Sequence, residues 1–310
     1  MVLIISSRDD ISTNIVQDWL NFLNKEYFRI DEEEELYIEF SLTDIIFRIN
    51  SNNVSINDIN SVWYRRGNLT FKNFEFTDHT SFDILIKDEV VKLNEYIHYK
   101  LMKKKCLNSF QNFDVNKLIV NDIARSLGIA TPNDYLVSNS KQLHRFLKQS
   151  KSLFITKTIS GNCIQKFQKY SLFNYTTVLD NKSTYPDFFF PSLVQNYVPK
   201  KYELRIFFLE NEFYSMAIFT EKNSKSKIDY RNNDFNLPNI EVPYDLPSYI
   251  QDKLKVLMKK IQLNSGSIDM IVTPENEYVF LEVNPVGQFG MVSYPCNYNI
   301  EKKIAEFLYE

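Results

Sequence analysis

The chain has 310 residues, of which 36 are Lys or Arg and 39 are Asp or Glu, for a formal net charge of -3, with 44% hydrophobic and 15% aromatic residues. That length fits two or three packed modules, and the composition is that of an ordered globular protein rather than a disordered one. The near-neutral balance gives no overall field for nucleic acid or an anionic membrane, so neither is expected as a partner.

In chain order, residues 2–5 form a short apolar run followed at once by Arg8, Asp9 and Asp10. The run is too short and wrongly flanked for a signal or membrane helix, which leads to the expectation of a cytoplasmic protein. It reads instead as a buried strand, and Ile11, Ile15, Trp19, Phe22 and Leu23 then recur at helical spacing, a strand-helix opening to an α/β module. The acidic run 31–35 reads as a solvated turn, residues 36–40, 45–50 and 61–64 as strands, and 82–102 as a long helix closing a first domain, 1–112.

A second domain, 113–195, opens with a helix that must stop at Leu127-Gly128-Ile129-Ala130-Thr131-Pro132, where Gly supplies the helix end and Pro forbids continuation. A helix at 141–148 and a strand at 153–158 follow. The third domain, 196–310, carries strands at 203–209, 213–219, 267–272 and 278–283, with a strand at 193–198 spanning its start. One helix there presents Leu254, Leu257, Met258 and Ile261 on a single face. The whole is a mixed α+β chain without internal repeat. Cys106, Cys163 and Cys296, like His79, His98 and His144, are scattered, so neither a zinc site nor a Cys-His nucleophile is expected.

The most informative segment is Tyr278-Val279-Phe280-Leu281-Glu282-Val283-Asn284-Pro285. With period two, Val279, Leu281 and Val283 face the core, while Glu282 and Asn284 share the other face and aim two oxygen-bearing side chains at one point. Upstream, Asp269 alternates with Ile268 and Met270, and an antiparallel neighbour would set its carboxylate beside Glu282. Such a trio, completed by phosphate oxygens and water, suits magnesium. A polar strand face turned to solvent is the alternative.

Asp269 followed by Glu282-x-Asn284-Pro285 resembles the metal-binding signature of ATP-grasp ligases, especially the RimK-like branch. The resemblance implies the ATP-grasp fold: two α+β subdomains clasping nucleotide, preceded by an α/β domain. It gives Lys117 and Lys157 to the phosphates, and Gln195, Asn196, Tyr197 and Val198 to an adenine hinge in which backbone groups at 196–198 pair with the base. Glu203 and Arg205, which share one strand face, go to the ribose and to the γ-phosphate or acyl phosphate. Asp229-Tyr230-Arg231-Asn232-Asn233 resembles the segment that lends Arg231 and Asn233 to the active site. The family's phosphate loop is glycine-rich, whereas Ser160-Gly161-Asn162 has a single Gly; this is a departure, and no residue is assigned there.

Ser61-Val62-Trp63-Tyr64-Arg65-Arg66-Gly67 is similar to a Trp/Tyr-x-Arg-Arg segment of microviridin-type peptide ligases, the graspetide synthetases. Adjacent arginines suit an acidic peptide, since guanidinium binds carboxylate bidentately, so Arg65 and Arg66 are the expected peptide contacts. The resemblance implies ATP and two magnesium ions as cofactors, a homodimer, and a ribosomal precursor peptide, leader and core, as partner. Its Asp or Glu side chains would be phosphorylated and captured by Ser, Thr or Lys as ω-ester or ω-amide macrocycles. A glutathione synthetase-like or protein-tail ligase, and a nucleotide-binding module without catalysis, remain the alternatives.

Overall fold

A computed structural model describes residues 1–72, 81–149, 152–160, 164–166, 171–173, 175–220 and 238–310, with backbone only for 81–83, 149, 164–166 and 171–173. The chain forms two compact units. The first begins with β1 (Val2–Ser6), α1 (Ile11–Phe22), β2 (Tyr27–Asp31), β3 (Glu35–Phe40), β4 (Ile45–Ile49), β5 (Asn52–Ser55), β6 (Ser61–Tyr64), β7 (Thr70–Phe71), α2 (Ser81–Leu101) and β8 (Lys105–Leu107). Its main sheet is all parallel, in the order β2-β1-β6-β8. All five residues of β1 are buried, which is why it reads as a continuous apolar run without alternation. A second sheet, β5-β4-β3-β7, adds Leu36, Phe47 and Val54 to the core built on Leu3, Ile5 and Ile30. The strand β2 escapes the sequence pattern because Arg29 and the acidic residues after it mask two core positions, Phe28 and Ile30.

The second unit comprises Val115–Gln262 and Gly266–Asn284. Its elements are α3 (Lys117–Ser126), β9 (Asp134–Asn139), α4 (Ser140–Gln149), β10 (Phe154–Lys157), β11 (Ile164–Lys166), β12 (Ser171–Phe173), β13 (Thr177–Leu179), β14 (Phe188–Asn196), β15 (Tyr202–Leu209), β16 (Glu212–Phe219), β17 (Ile240–Pro243), α5 (Ser248–Lys260), β18 (Ser265–Val272) and β19 (Tyr278–Asn284). They build two main sheets, β13-β10-β14-β9 and β17-β16-β15-β18-β19. Asn116 caps α3, its Oδ1 accepting from the Leu118 and Ile119 amides, and so fixes Lys117 as the first helical residue.

Two final helices, α6 (Gly290–Cys296) and α7 (Ile300–Tyr309), return to the first unit, as do Leu263–Ser265. The expected domain 196–310 is therefore cut at its end: Pro285–Glu310 belongs with the amino-terminal residues. The cause is the apolar face of α7, where Ile300, Ile304, Ala305 and Leu308 are buried and the helix lies against α1. Among the described residues no helix is long and apolar enough to cross a membrane.

Candidate active site

The antiparallel ladder β18–β19 sets Asp269 directly across from Glu282 and Ser267 across from Asn284, as the alternation requires. The register then shifts, Met270 pairing with Phe280, so that Leu281 is the extra residue of a bulge. This corrects one expectation. Val279 and Val283 are buried, but Leu281 is only half-buried, and Phe280, two residues from Glu282, is wholly buried because the bulge interrupts the alternation.

Each carboxylate already meets cations. Lys117 Nζ lies 2.8 Å and Lys157 Nζ 3.6 Å from Glu282 Oε2. Lys117 arrives because α3 packs on β19, and the Phe280 amide donates to the Ala130 carbonyl at 2.8 Å. Lys157 comes from the end of β10, opposite Leu193 of β14. Burial lowers the Lys157 pKa from 10.5; Glu282 raises it again and Lys117 lowers it further. On the neighbouring strand β15, Arg205 Nη1 donates to both Asp269 oxygens at 2.7 Å, and only 7% of Arg205 is exposed. Glu203, on the same strand, is buried and forms a close ion pair with Lys200.

At the expected hinge, the Tyr197 amide donates to the Leu153 carbonyl at 2.8 Å. Asn196 ends β14 opposite Phe154, and Val198 follows it, half-buried. Gln195 is 1% exposed and donates to Asp134, whose other oxygen accepts from Asn121 and Arg125. Asp134, Asn121 and Lys200 went unread. Asn121, a polar residue buried in α3, was the available signal. Arg231 and Asn233 lie outside the described residues.

Arg65 and Arg66 belong to the first unit. Both contact Asp10 Oδ2, Arg65 through Nε at 3.1 Å and Arg66 through Nη2 at 2.8 Å. Arg65 is 3% exposed, and its Nη1 donates to the carbonyls of Val286 and Gly287. Burial lowers its pKa to about 10, against the opposing pull of Asp10. Of the two arginines expected to contact peptide, Arg65 is buried and Arg66 has 34% of its side chain exposed.

The donor set of Asp269, Glu282 and Asn284 is all oxygen, which fits a hard cation such as magnesium and not a soft one. Among the described residues no three His, Cys, Asp or Glu gather as a metal cluster.

No protein-family model matches the chain, and no curated protein matches its sequence. Solved structures do match it, and with the two sheets of the second unit they define the class: the chain has the ATP-grasp fold. It is similar to the macrocyclase MdnC bound with precursor peptide MdnA from Microcystis aeruginosa MRC, at 26% identity and a TM-score of 0.80 over 99% of each chain. It is also similar to the RiPP-associated ATP-grasp ligase of Chryseobacterium gregarium in complex with ADP and a leader and core peptide, at 22% identity and a TM-score of 0.83, over 99% of this chain and 96% of that one. The macrocyclase MdnB from Microcystis aeruginosa MRC matches at 21% identity and a TM-score of 0.74 over 99% of each chain.

Proposed function

We propose that the protein is an ATP-dependent carboxylate ligase that closes macrocycles in a ribosomal precursor peptide. The observation that carries this reading is the pair Asp269 and Glu282, face to face across β18–β19 and met by Arg205, Lys117 and Lys157, on a fold shared end to end with a peptide macrocyclase.

The chemistry needs no nucleophile from the protein. A carboxylate oxygen of a peptide Asp or Glu attacks the γ-phosphorus of ATP, the bond to ADP breaks, and an acyl phosphate forms on the peptide. A Ser or Thr hydroxyl, or a Lys amine, then attacks the acyl carbon, losing its proton as phosphate leaves. Catalysis of the first step is positioning and charge neutralisation. Lys117 and Lys157 release Glu282 and take phosphate oxygens, while Arg205 faces the transferring group. Asp269, Glu282 and Asn284 would hold magnesium, which would supply neutralisation of the phosphate charge. Glu203 faces the ribose, and the hinge 195–198 receives adenine, through the Asn196 carbonyl and the Val198 amide in place of Tyr197. Arg231 and Asn233 complete the active site on the resemblance of their segment.

The finer features of this reading, two magnesium ions, a microviridin-like product, a homodimer and a cytoplasmic setting, rest on the resemblance of sequence motifs.

The test is mass spectrometry of a precursor peptide encoded beside the gene, co-expressed with the wild-type protein or with Glu282→Gln. One water lost per ring with the wild type alone is the expected result. An unchanged peptide with both, while the wild type forms ADP with another carboxylate, would move the substrate to a small molecule or a protein tail.

A further inference from the structure

Just past the end of α3 in the second unit, Gly128 takes φ +68° and turns the chain toward β19. There Ala130 bridges Val279, and its carbonyl accepts from the Phe280 amide at 2.8 Å. Because Gly128 and Ala130 carry almost no side chain, a cavity of about 140 Å³ stays open between this turn, α5 and the strands β18 and β19. Its floor is apolar: Ile129, Leu254 and Met270 line it, each exposed by 5% or less. Met270 follows Asp269 on β18, so strand alternation puts the cavity on the reverse of the sheet from that carboxylate.

The rim is polar. Tyr249 and Lys253 stand one turn apart on α5 and share a face, and the Tyr278 ring lies edge-on to that of Tyr249 at 6.2 Å and 89°. Lys253 Nζ donates to the Gly128 carbonyl at 2.7 Å, which engages one donor of its ammonium and leaves the others. It forms no ion pair among the described residues. The Tyr249 hydroxyl has no hydrogen-bond partner among the described residues either, whereas that of Tyr278 is bonded to Tyr244. An apolar recess with a few convergent polar groups at its mouth is the usual form of a small-molecule site.

We propose that this cavity binds an organic monocarboxylate with one compact apolar group, the group resting on the floor and the carboxylate held between Lys253 and the Tyr249 hydroxyl. An apolar cavity of about 150 Å³ holds benzene, so one ring or one branched alkyl group is the size that fits. Both unmet groups of the rim can donate, which selects an anionic head, and a single ammonium matches one negative charge better than the two of a phosphate. A free acid and the carboxy-terminal residue of a chain offer this same chemistry. The ligase reading gives the cavity no role, and the inference stands apart from it.

Nuclear magnetic resonance of the full chain with carbon-13 in its methionine methyl groups tests this, the Met270 signal being assigned with Met270→Leu. Phenylacetate is expected to shift that signal saturably, phenylacetamide to bind roughly tenfold more weakly, the loss typical of a charge-assisted hydrogen bond, and acetate to leave it in place. Lys253→Gln should bring acid and amide to equal affinity and Lys253→Arg should keep the preference for the acid. Ala130→Leu, which fills the cavity, should abolish the shift by both. An unmoved Met270 signal, equal affinity of the wild type for acid and amide, a preference retained in Lys253→Gln, or an undiminished shift in Ala130→Leu would each overturn the proposal. Competition with acetyl-glycyl-phenylalanine bearing a free carboxylate separates the sources: tighter binding of the dipeptide assigns the site to a chain end, and tighter binding of phenylacetate to a free acid.

Discussion

Lys117 Nζ lies 2.8 Å from Glu282 Oε2, so a residue assigned to phosphate and a residue assigned to metal neutralise each other across α3 and β19. Lys157 adds a second cation to the same oxygen, and Arg205 occupies both oxygens of Asp269. A divalent cation entering this site alone has to displace three cationic side chains and gains two carboxylates in return. When nucleotide phosphates come too, they receive those cations and free the carboxylates. Metal affinity should therefore depend on nucleotide. Manganese titrated by electron paramagnetic resonance is expected to bind at least about tenfold more tightly with ADP than without it, a coupling within the ordinary range for linked ligands. Equal affinity in both states would show that the lysine contacts do not compete with metal.

Glu282→Gln should lower ADP formation by at least about a hundredfold, since in the proposed mechanism it would withdraw a carboxylate from the magnesium that would neutralise the transferring phosphoryl group. It should also change the alkaline stability profile. Burial lowers the Lys157 pKa below 10.5, and Glu282 is the leading influence that raises it back. Between the folded value and 10.5 the unfolded chain binds more protons than the folded one, so stability rises with pH across that window. Removing Glu282 lowers the folded value and widens the window downward. Urea midpoints measured through the alkaline range should climb more steeply with pH in Glu282→Gln than in wild type, and Lys157→Met should remove the climb.

The Arg205–Asp269 contact is a buried pair, with side-chain exposures of 8% and 13%. Withdrawing one partner of such a pair costs about 3–5 kcal/mol, whereas replacing both by apolar residues of similar size is near neutral. Asp269→Ala is expected to destabilise the protein by about 3 kcal/mol, and Arg205→Met combined with Asp269→Leu by clearly less. Chemical denaturation of wild type and these two variants decides it; a double variant as unstable as the single one would mean that the strands need the ion pair for their register.

The two carboxylates that face each other were legible because strand alternation is a local rule, and Asp269 and Glu282 both obey it. The bulge at Leu281 was not, since no Gly or Pro marks it and its effect shows only in the pairing with β18. Asp10 carries a readable helix-start signal, an acidic residue just before Ile11, but its second service as the anion between Arg65 and Arg66 depends on two strands meeting. The helices α6 and α7 were missed for local reasons: Pro295 sits inside the first, and the second is ten residues long. Lys117 and Lys157 were legible only through resemblance. A lysine opening a helix, or ending a strand, carries no mark that it converges on a carboxylate far along the chain.

His98 supplies a stability prediction that is independent of the active site. It is 4% exposed on α2, its ring stacked on Phe110 at 4.1 Å and 4° and set edge-on to Tyr64 at 5.5 Å, and its Nε2 has no partner among the described residues. Burial lowers its pKa from 6.5 to about 4. Below 6.5 the unfolded chain takes up a proton that the folded chain refuses until about 4, so stability is fully present above 6.5 and falls as pH drops through this window. The loss amounts to about 3 kcal/mol at its acid end. His98→Phe keeps a flat ring against Phe110 and removes both the titration and a buried donor or acceptor that nothing meets, an exchange that is close to neutral at neutral pH. Wild type and His98→Phe should therefore have similar urea midpoints at neutral pH and diverge in favour of the variant as pH falls toward 4. Parallel acid profiles for the two proteins would assign the loss to other groups and would mean that the folded protein admits a charged imidazole at this position.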